Sequence, residues 1–195
     1  MDDEAIESVA LTKVAEARPG YPFRGAVEET TNGDVAVVQI RNADPERGVD
    51  WSAVVRTTLT GRKRPDWLRP GDVLFAARGN RNVATYIDHV PGLAVCAPQF
   101  FLLRARSESV LPAYLAWYLN QPPAQRYFEI SAEGSFITSI RRAELEKLPV
   151  PVPSVERQRL IARLADAARR EKELTEKLIR NREQQLRLVA FDLIE

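Results

Sequence analysis

The last 42 residues, 154–195, contain neither proline nor glycine, although the chain holds 13 prolines and 9 glycines. Those are the residue types that end helices, proline by its clash and missing N–H, glycine by its backbone entropy. Their absence over so long a run predicts one helix of about 60 Å at ~1.5 Å per residue. The start is marked too. Pro149, Pro151 and Pro153 impose an extended approach, because proline restricts both itself and the residue before it. Ser154 then stands as the cap, with Arg157 where a capping box would want Glu. Leu160, Leu164, Ala167, Leu174, Leu178 and Leu188 recur at helical spacings, while Glu171, Asn181 and Gln185 interrupt the stripe. The seam resembles a coiled coil without being a strong zipper. Ten basic and eight acidic groups along 154–195 suit a solvated rod or flanking charge pairs rather than a basic arm gripping DNA. The segment reads as a spacer and dimerisation helix contacting its partner through Leu160, Leu164, Ala167, Leu174, Leu178, Asn181 and Leu188. A helix lying along its own domain is the other reading.

Residues 1–153 mix short strand-like and helix-like pieces. A helix is expected from Leu11 to Glu16, ended by Arg18-Pro19-Gly20, and a strand over Asp34–Ile40, entered through the Asn32-Gly33 turn. Val73–Ala77, after Pro70-Gly71-Asp72, reads as a buried strand. Leu93–Cys96 and Phe100–Leu103 read as two more, and Pro112–Asn120 and Ala124–Ser131 as helices. There is no regular strand–helix–strand rhythm, so the fold class is α+β: a mixed globular module, 1–153, followed by a long C-terminal helix forming a coiled coil.

Several chemistries are excluded by residue supply. Cys96 is the only cysteine and His89 the only histidine, which rules out an internal disulfide and a thiolate metal cluster. Cys96 reads as a core thiol and His89 as a surface turn residue. No phosphate-binding glycine loop is present. The acidic N-terminus lacks the pattern of a signal peptide, and no apolar run approaches a membrane span, so a cytoplasmic protein is expected. Charge is unevenly placed. Residues 1–50 carry a net −6, 51–106 a net +6 and 107–195 a net +1, and 23 of the 28 basic residues are arginine. A positive middle block fits a phosphate-facing patch, and equally a solvated face balanced by the acidic N-terminal block.

Three stretches, in order and over nearly the whole chain, resemble the Type I restriction-modification specificity subunits. The first is Leu11-Thr-Lys-Val14-Ala15-Glu16, leading to Gly20-Tyr-Pro-Phe23. The second is Leu68-Arg-Pro-Gly71-Asp72-Val73-Leu74-Phe75, continuing to Arg78-Gly79-Asn80. The third is Leu145-Glu-Lys-Leu148-Pro149-Val-Pro151-Val-Pro153 with Arg157-Gln158-Arg159-Leu160-Ile161. The Leu111–Leu119 helix matches a further common feature. Full-length members join two recognition domains with two long helices; this chain has one of each, so it resembles a half-subunit. The resemblance implies a non-catalytic protein that reads double-stranded DNA and pairs as a homodimer through the helix. The resemblance implies that it directs an adenine-specific DNA methyltransferase, with a restriction or translocase subunit as a further partner, to a bipartite target. It needs no cofactor of its own; S-adenosylmethionine belongs to the methyltransferase, which flips the base. The methyltransferase's own Asn-Pro-Pro-aromatic turn is not matched by Asn120-Gln121-Pro122-Pro123-Ala124. No lysine has an acidic residue two positions before it, as common restriction nucleases require. The rival reading is a coiled-coil scaffold or inhibitor derived from such a subunit, without sequence-specific DNA binding.

Candidate DNA-contacting residues fall in three places. Arg62-Lys63-Arg64 sit on an expected exposed loop, suited to phosphates. Arg78, Asn80, Arg81 and Asn82 surround Gly79 after the buried strand; Arg and Asn are the side chains shaped for guanine and adenine edges. Ser135, Thr138, Arg141 and Arg142 form the third group, with Glu144 and Glu146 as alternative partners for the two arginines. For each group an ordinary solvated loop or hydrogen-bonded turn is the competing reading.

Overall fold

The computed structural model describes residues 6–61, 64–79, 81–132 and 138–194. The chain opens with β1 (Ser8–Ala10), α1 (Leu11–Val14), β2 (Ala15–Pro19) and β3 (Val35–Val38). A 3-10 turn (Ile40–Asn42) leads into the short hairpin β4 (Ala43–Asp44) and β5 (Gly48–Val49), then β6 (Val55–Thr57). Next come β7 (Val73–Ala76), β8 (Arg78–Gly79), β9 (Ala84–Tyr86), β10 (Ala94–Cys96) and β11 (Phe100–Ala105). Helices α2 (Pro112–Leu119) and α3 (Pro122–Ser131) precede β12 (Thr138–Ser139), α4 (Arg142–Lys147), β13 (Pro149–Pro151) and α5 (Val155–Asp192).

The architecture is α+β, in three layers. The central layer is a four-stranded antiparallel sheet in the order β2-β11-β7-β9. One face packs against α1 to α4, where Val73, Phe75 and Leu103 meet Leu11, Leu115 and Phe128. The other face packs against a second sheet, β10-β3-β6, through Leu74, Ala76, Phe100 and Leu102. Successive residues of a strand point to opposite faces. A strand covered on both sides must therefore be apolar throughout, and all four residues of β7 are buried. That is why the run at 73–77 shows no alternation.

The expected helix over 11–16 stops after one turn. Ala15–Pro19 instead pairs along its whole length with β11. Ala15 and Ala17 face inward while Glu16 and Arg18 point out, a period of two that residue-level helix propensity does not register. Arg18 also reaches Asp66 at 2.8 Å, tying this edge strand to the loop before β7. The remaining expected strands and helices appear, displaced by one or two residues at their ends. Cys96 is buried, and His89 is exposed, its ring beside Asp88.

Two parts of the resemblance turn out to be structural locks. In Pro70-Gly71-Asp72, Gly71 takes φ +90° and Asp72 is almost fully buried. Its carboxylate accepts two bonds from Arg104, both 2.8 Å, and one from the Arg69 N–H. Gln158 has no exposed surface. Its side chain accepts from the Leu111 N–H at 2.8 Å and donates to the carbonyls of Ser109 and Pro153 at 2.7 and 2.8 Å. Tyr114 and Tyr118 donate to the carbonyls of Pro151 and Pro149. Burial pushes the Tyr114 phenol up to about 12, so it stays a donor. Together these bonds fasten the proline-rich approach and the base of α5 to α2. Ser154 caps α5, its hydroxyl accepting from the Arg157 N–H. No helix among the described residues is long and apolar enough to cross a membrane.

Candidate nucleic-acid interface

Two of the three candidate stretches meet. Strand β8 pairs with β12, placing Thr138 opposite Gly79 and Ser139 opposite Arg78. The Ile140 N–H donates to the Ala77 carbonyl at 2.9 Å and continues the join. A sequence separation of about sixty residues is thus closed into one edge carrying Arg78, Arg81, Arg141 and Arg142. Arg78 and Arg81 are exposed, and neither pairs with a carboxylate among the described residues. Gly79 has φ +142°, a backbone region that residues with a side chain rarely adopt, and this turns the chain out of the buried strand. Arg142 is committed to Glu146 at 2.7 Å, one helical turn on, which matches the alternative read for it from the sequence. Arg141 is exposed at the start of α4.

The loop behind this edge is rigidly backed. Gln125 donates to the Asn82 carbonyl at 2.8 Å, and Asn120 exchanges two hydrogen bonds with the backbone of Ala84. Neither Asn120 nor Gln125 was singled out from the sequence as a support for this loop. Their partners lie some forty residues away, and only the folded sheet brings them together.

Asn82 is corrected. It is buried, and its amide donates to the Ala76 carbonyl at 2.9 Å, so its side chain closes the turn and has no reach to a base edge. Arg62, Lys63, Asn80 and Ser135 lie outside the described residues. Only the backbone of Thr138 is described, in β12. Arg64 is exposed, on the loop that leads past Asp66 to Leu68. The positive middle block, a net +6 with Asp72 already counted, also spends some of its donors inside the fold. Arg56 donates to the carbonyls of Gly33 and Asp34, and Arg104 is locked on Asp72, so two of its cations serve the fold.

The long helix separates its two sides. Gln158 and Ile161 pack into the module, while Lys172 and Glu176 pair with Glu46 and Arg47 of the β4–β5 hairpin. At roughly 100° per residue, the stripe Leu160, Leu164, Ala167, Leu174 and Leu178 lies on the opposite side of the cylinder. Those four leucines are 57–66% exposed. Asn181 and Leu188 continue the outward face beyond the module. Arg169, bonded to Asp166 and Glu173, supports the helix within one turn either way.

No protein-family model and no curated protein matches the chain. Solved structures do. A chain from a study titled as complex assembly and conformational transition of the type I R-M system aligns with TM-score 0.71 and 17% identity. The alignment covers 95% of this chain and 44% of that one. The S subunit of a Type I restriction-modification system from M. genitalium aligns with TM-score 0.60 at 14% identity over 94% of this chain and 45% of its own. The HsdS subunit from Thermoanaerobacter tengcongensis aligns with TM-score 0.61 at 17% identity over 90% and 40%. The chain spans less than half the length of each, and its fold is that of one half of a Type I specificity subunit.

Proposed function

We propose that this chain is a half-sized DNA specificity subunit, with a recognition module (1–153) and a spacer helix (154–195), which directs an adenine methyltransferase to a bipartite target. The observation that carries the reading is the half-length match combined with the outward apolar stripe. One module and one helix account for about half of each neighbour. The helix face turned away from its own module is the apolar one, as a second copy would require. Two copies related by a twofold axis would read the same bases in each half, giving a palindromic, interrupted site. Arg78 and Arg81 on the β8–β12 edge supply the base or phosphate contacts, with Arg64 and Arg141 as further cations. S-adenosylmethionine and the chemistry belong to the methyltransferase, and the flipped adenine enters that partner's pocket.

The test is binding of the methyltransferase-bound chain to duplex DNA across a salt series. A specificity subunit loses affinity steeply with salt, through release of counterions from the phosphates it covers, and retains preference for one sequence. Assembly with the methyltransferase but no sequence preference at any salt would leave only a scaffold role.

A further inference from the structure

We propose that the β4–β5 hairpin is a bracket that fixes the direction and register of α5, and so sets which spacer length between half-sites the dimer accepts. The inference rests on the reading of the chain as a paired specificity subunit. Helix α5 is held to its own module at two places. One is its base, at Gln158 and Ile161. The other lies about 14–18 residues further on, where Lys172 meets Glu46 and Glu176 meets Arg47, at 2.5 and 2.8 Å. Beyond Glu176 the helix continues to Asp192.

A single hold would leave direction poorly determined. From Gln158 to the end of α5 is roughly 50 Å, so a tilt of only ~10° moves the far end by roughly 9 Å. Adding one base pair to a DNA spacer shifts a half-site by about 3.4 Å along the axis and turns it by about 35°. A rod free to tilt by that much could not tell the two spacers apart. The second hold removes the tilt.

The hairpin is built to be rigid. The Asp44 side chain accepts from the N–H groups of Glu46 and Arg47, each at 2.8 Å, which fixes the tip. Gly48 takes φ +78° to close the turn. Behind it the buried Asn42 side chain accepts from the Gln39 N–H and donates to the Ala53 carbonyl. Ala43 and Val49 pack on the second core. The charges also define register. Glu46 and Arg47 are opposite in sign, as are Lys172 and Glu176 one turn apart. Sliding the helix by a turn in either direction would oppose Glu46 to Glu176 or Arg47 to Lys172. Each pair is exposed and weak alone, so the bracket is salt-sensitive.

The test uses the full chain with Cys96→Ala and nitroxide labels on Glu129→Cys in α3 and Gln184→Cys in α5. It is diluted with unlabelled chain so that only distances within one chain are read. Reversing the hairpin (Glu46→Lys with Arg47→Glu) is expected to broaden the label-distance distribution. In the methyltransferase complex it is expected to cut discrimination between duplexes differing by one spacer base pair by about tenfold, what two exposed ion pairs can hold. Reversing the helix as well (Lys172→Glu with Glu176→Lys) restores both. An unchanged distribution in the hairpin-reversed chain, or a changed one with spacer preference intact, overturns the proposal. Absence of methylation by the wild-type complex at every spacer would instead sink the functional reading, while the label distances still decide whether the hairpin holds the helix.

Discussion

Arg78 and Asn82 stand four residues apart in sequence, and by type both suit base edges. The fold divides them. Arg78 is exposed on the edge joined to β12, whereas Asn82 spends its amide on the Ala76 carbonyl. Arg78→Ala is therefore expected to weaken binding, or to relax the target at one position by about 1–3 kcal/mol, with stability unchanged. Asn82→Ala is expected to cost about 1–3 kcal/mol of stability and leave the methylated sequence as it was. Urea unfolding and methylation-site mapping on the two variants separate these outcomes. Gln158 is a plainer case. It satisfies three backbone groups with no access to water, so Gln158→Leu strands the Leu111 N–H and two carbonyls. The expected loss is about 2–4 kcal/mol, read as a fall in the urea midpoint at constant m-value. The residue types at these positions were legible in the sequence, but which of them point outward was not. That depends on partners such as Gln125 and Ser109, more than forty positions away.

At the scale of elements, the long helix was legible because its evidence is local: no proline or glycine, a cap at Ser154 and a helical stripe. The buried strand at 73–76 was legible for the same reason. Residues 15–19 were not, because the register with β11 overrode local helix preference after the single turn at Leu11–Val14. The side of α5 that faces the module is set by the buried Gln158 and by Ile161 at its base, with Glu46 and Arg47 of the hairpin on the same side further along, and these partners are distant in sequence. That choice yields a prediction. Leu164 and Leu174 lie on the outward face and are 61% and 66% exposed, so under the proposed pairing Leu164→Glu with Leu174→Glu is expected to convert a dimer to a monomer while the module keeps its thermal transition. Light scattering reads the mass and circular dichroism the fold. Mass already that of a monomer in the wild-type chain would remove the stripe's role.

For the molecule as a whole, two cores share one central sheet, and a rod leaves from its helical side. This fold aligns with 40–45% of the length of each structural neighbour. The distribution of proline alone separates a proline-bearing front, ending at Pro153, from a long helix without any. The pairing that would complete the other half is the claim on which everything functional depends. The most direct measurement is a genome-wide map of methylated adenines in cells expressing the chain together with its methyltransferase. Methylation confined to an interrupted palindrome of constant spacing, lost when the chain is omitted, is the predicted result. Methylation that is absent, or that does not change when this chain is removed, would contradict it.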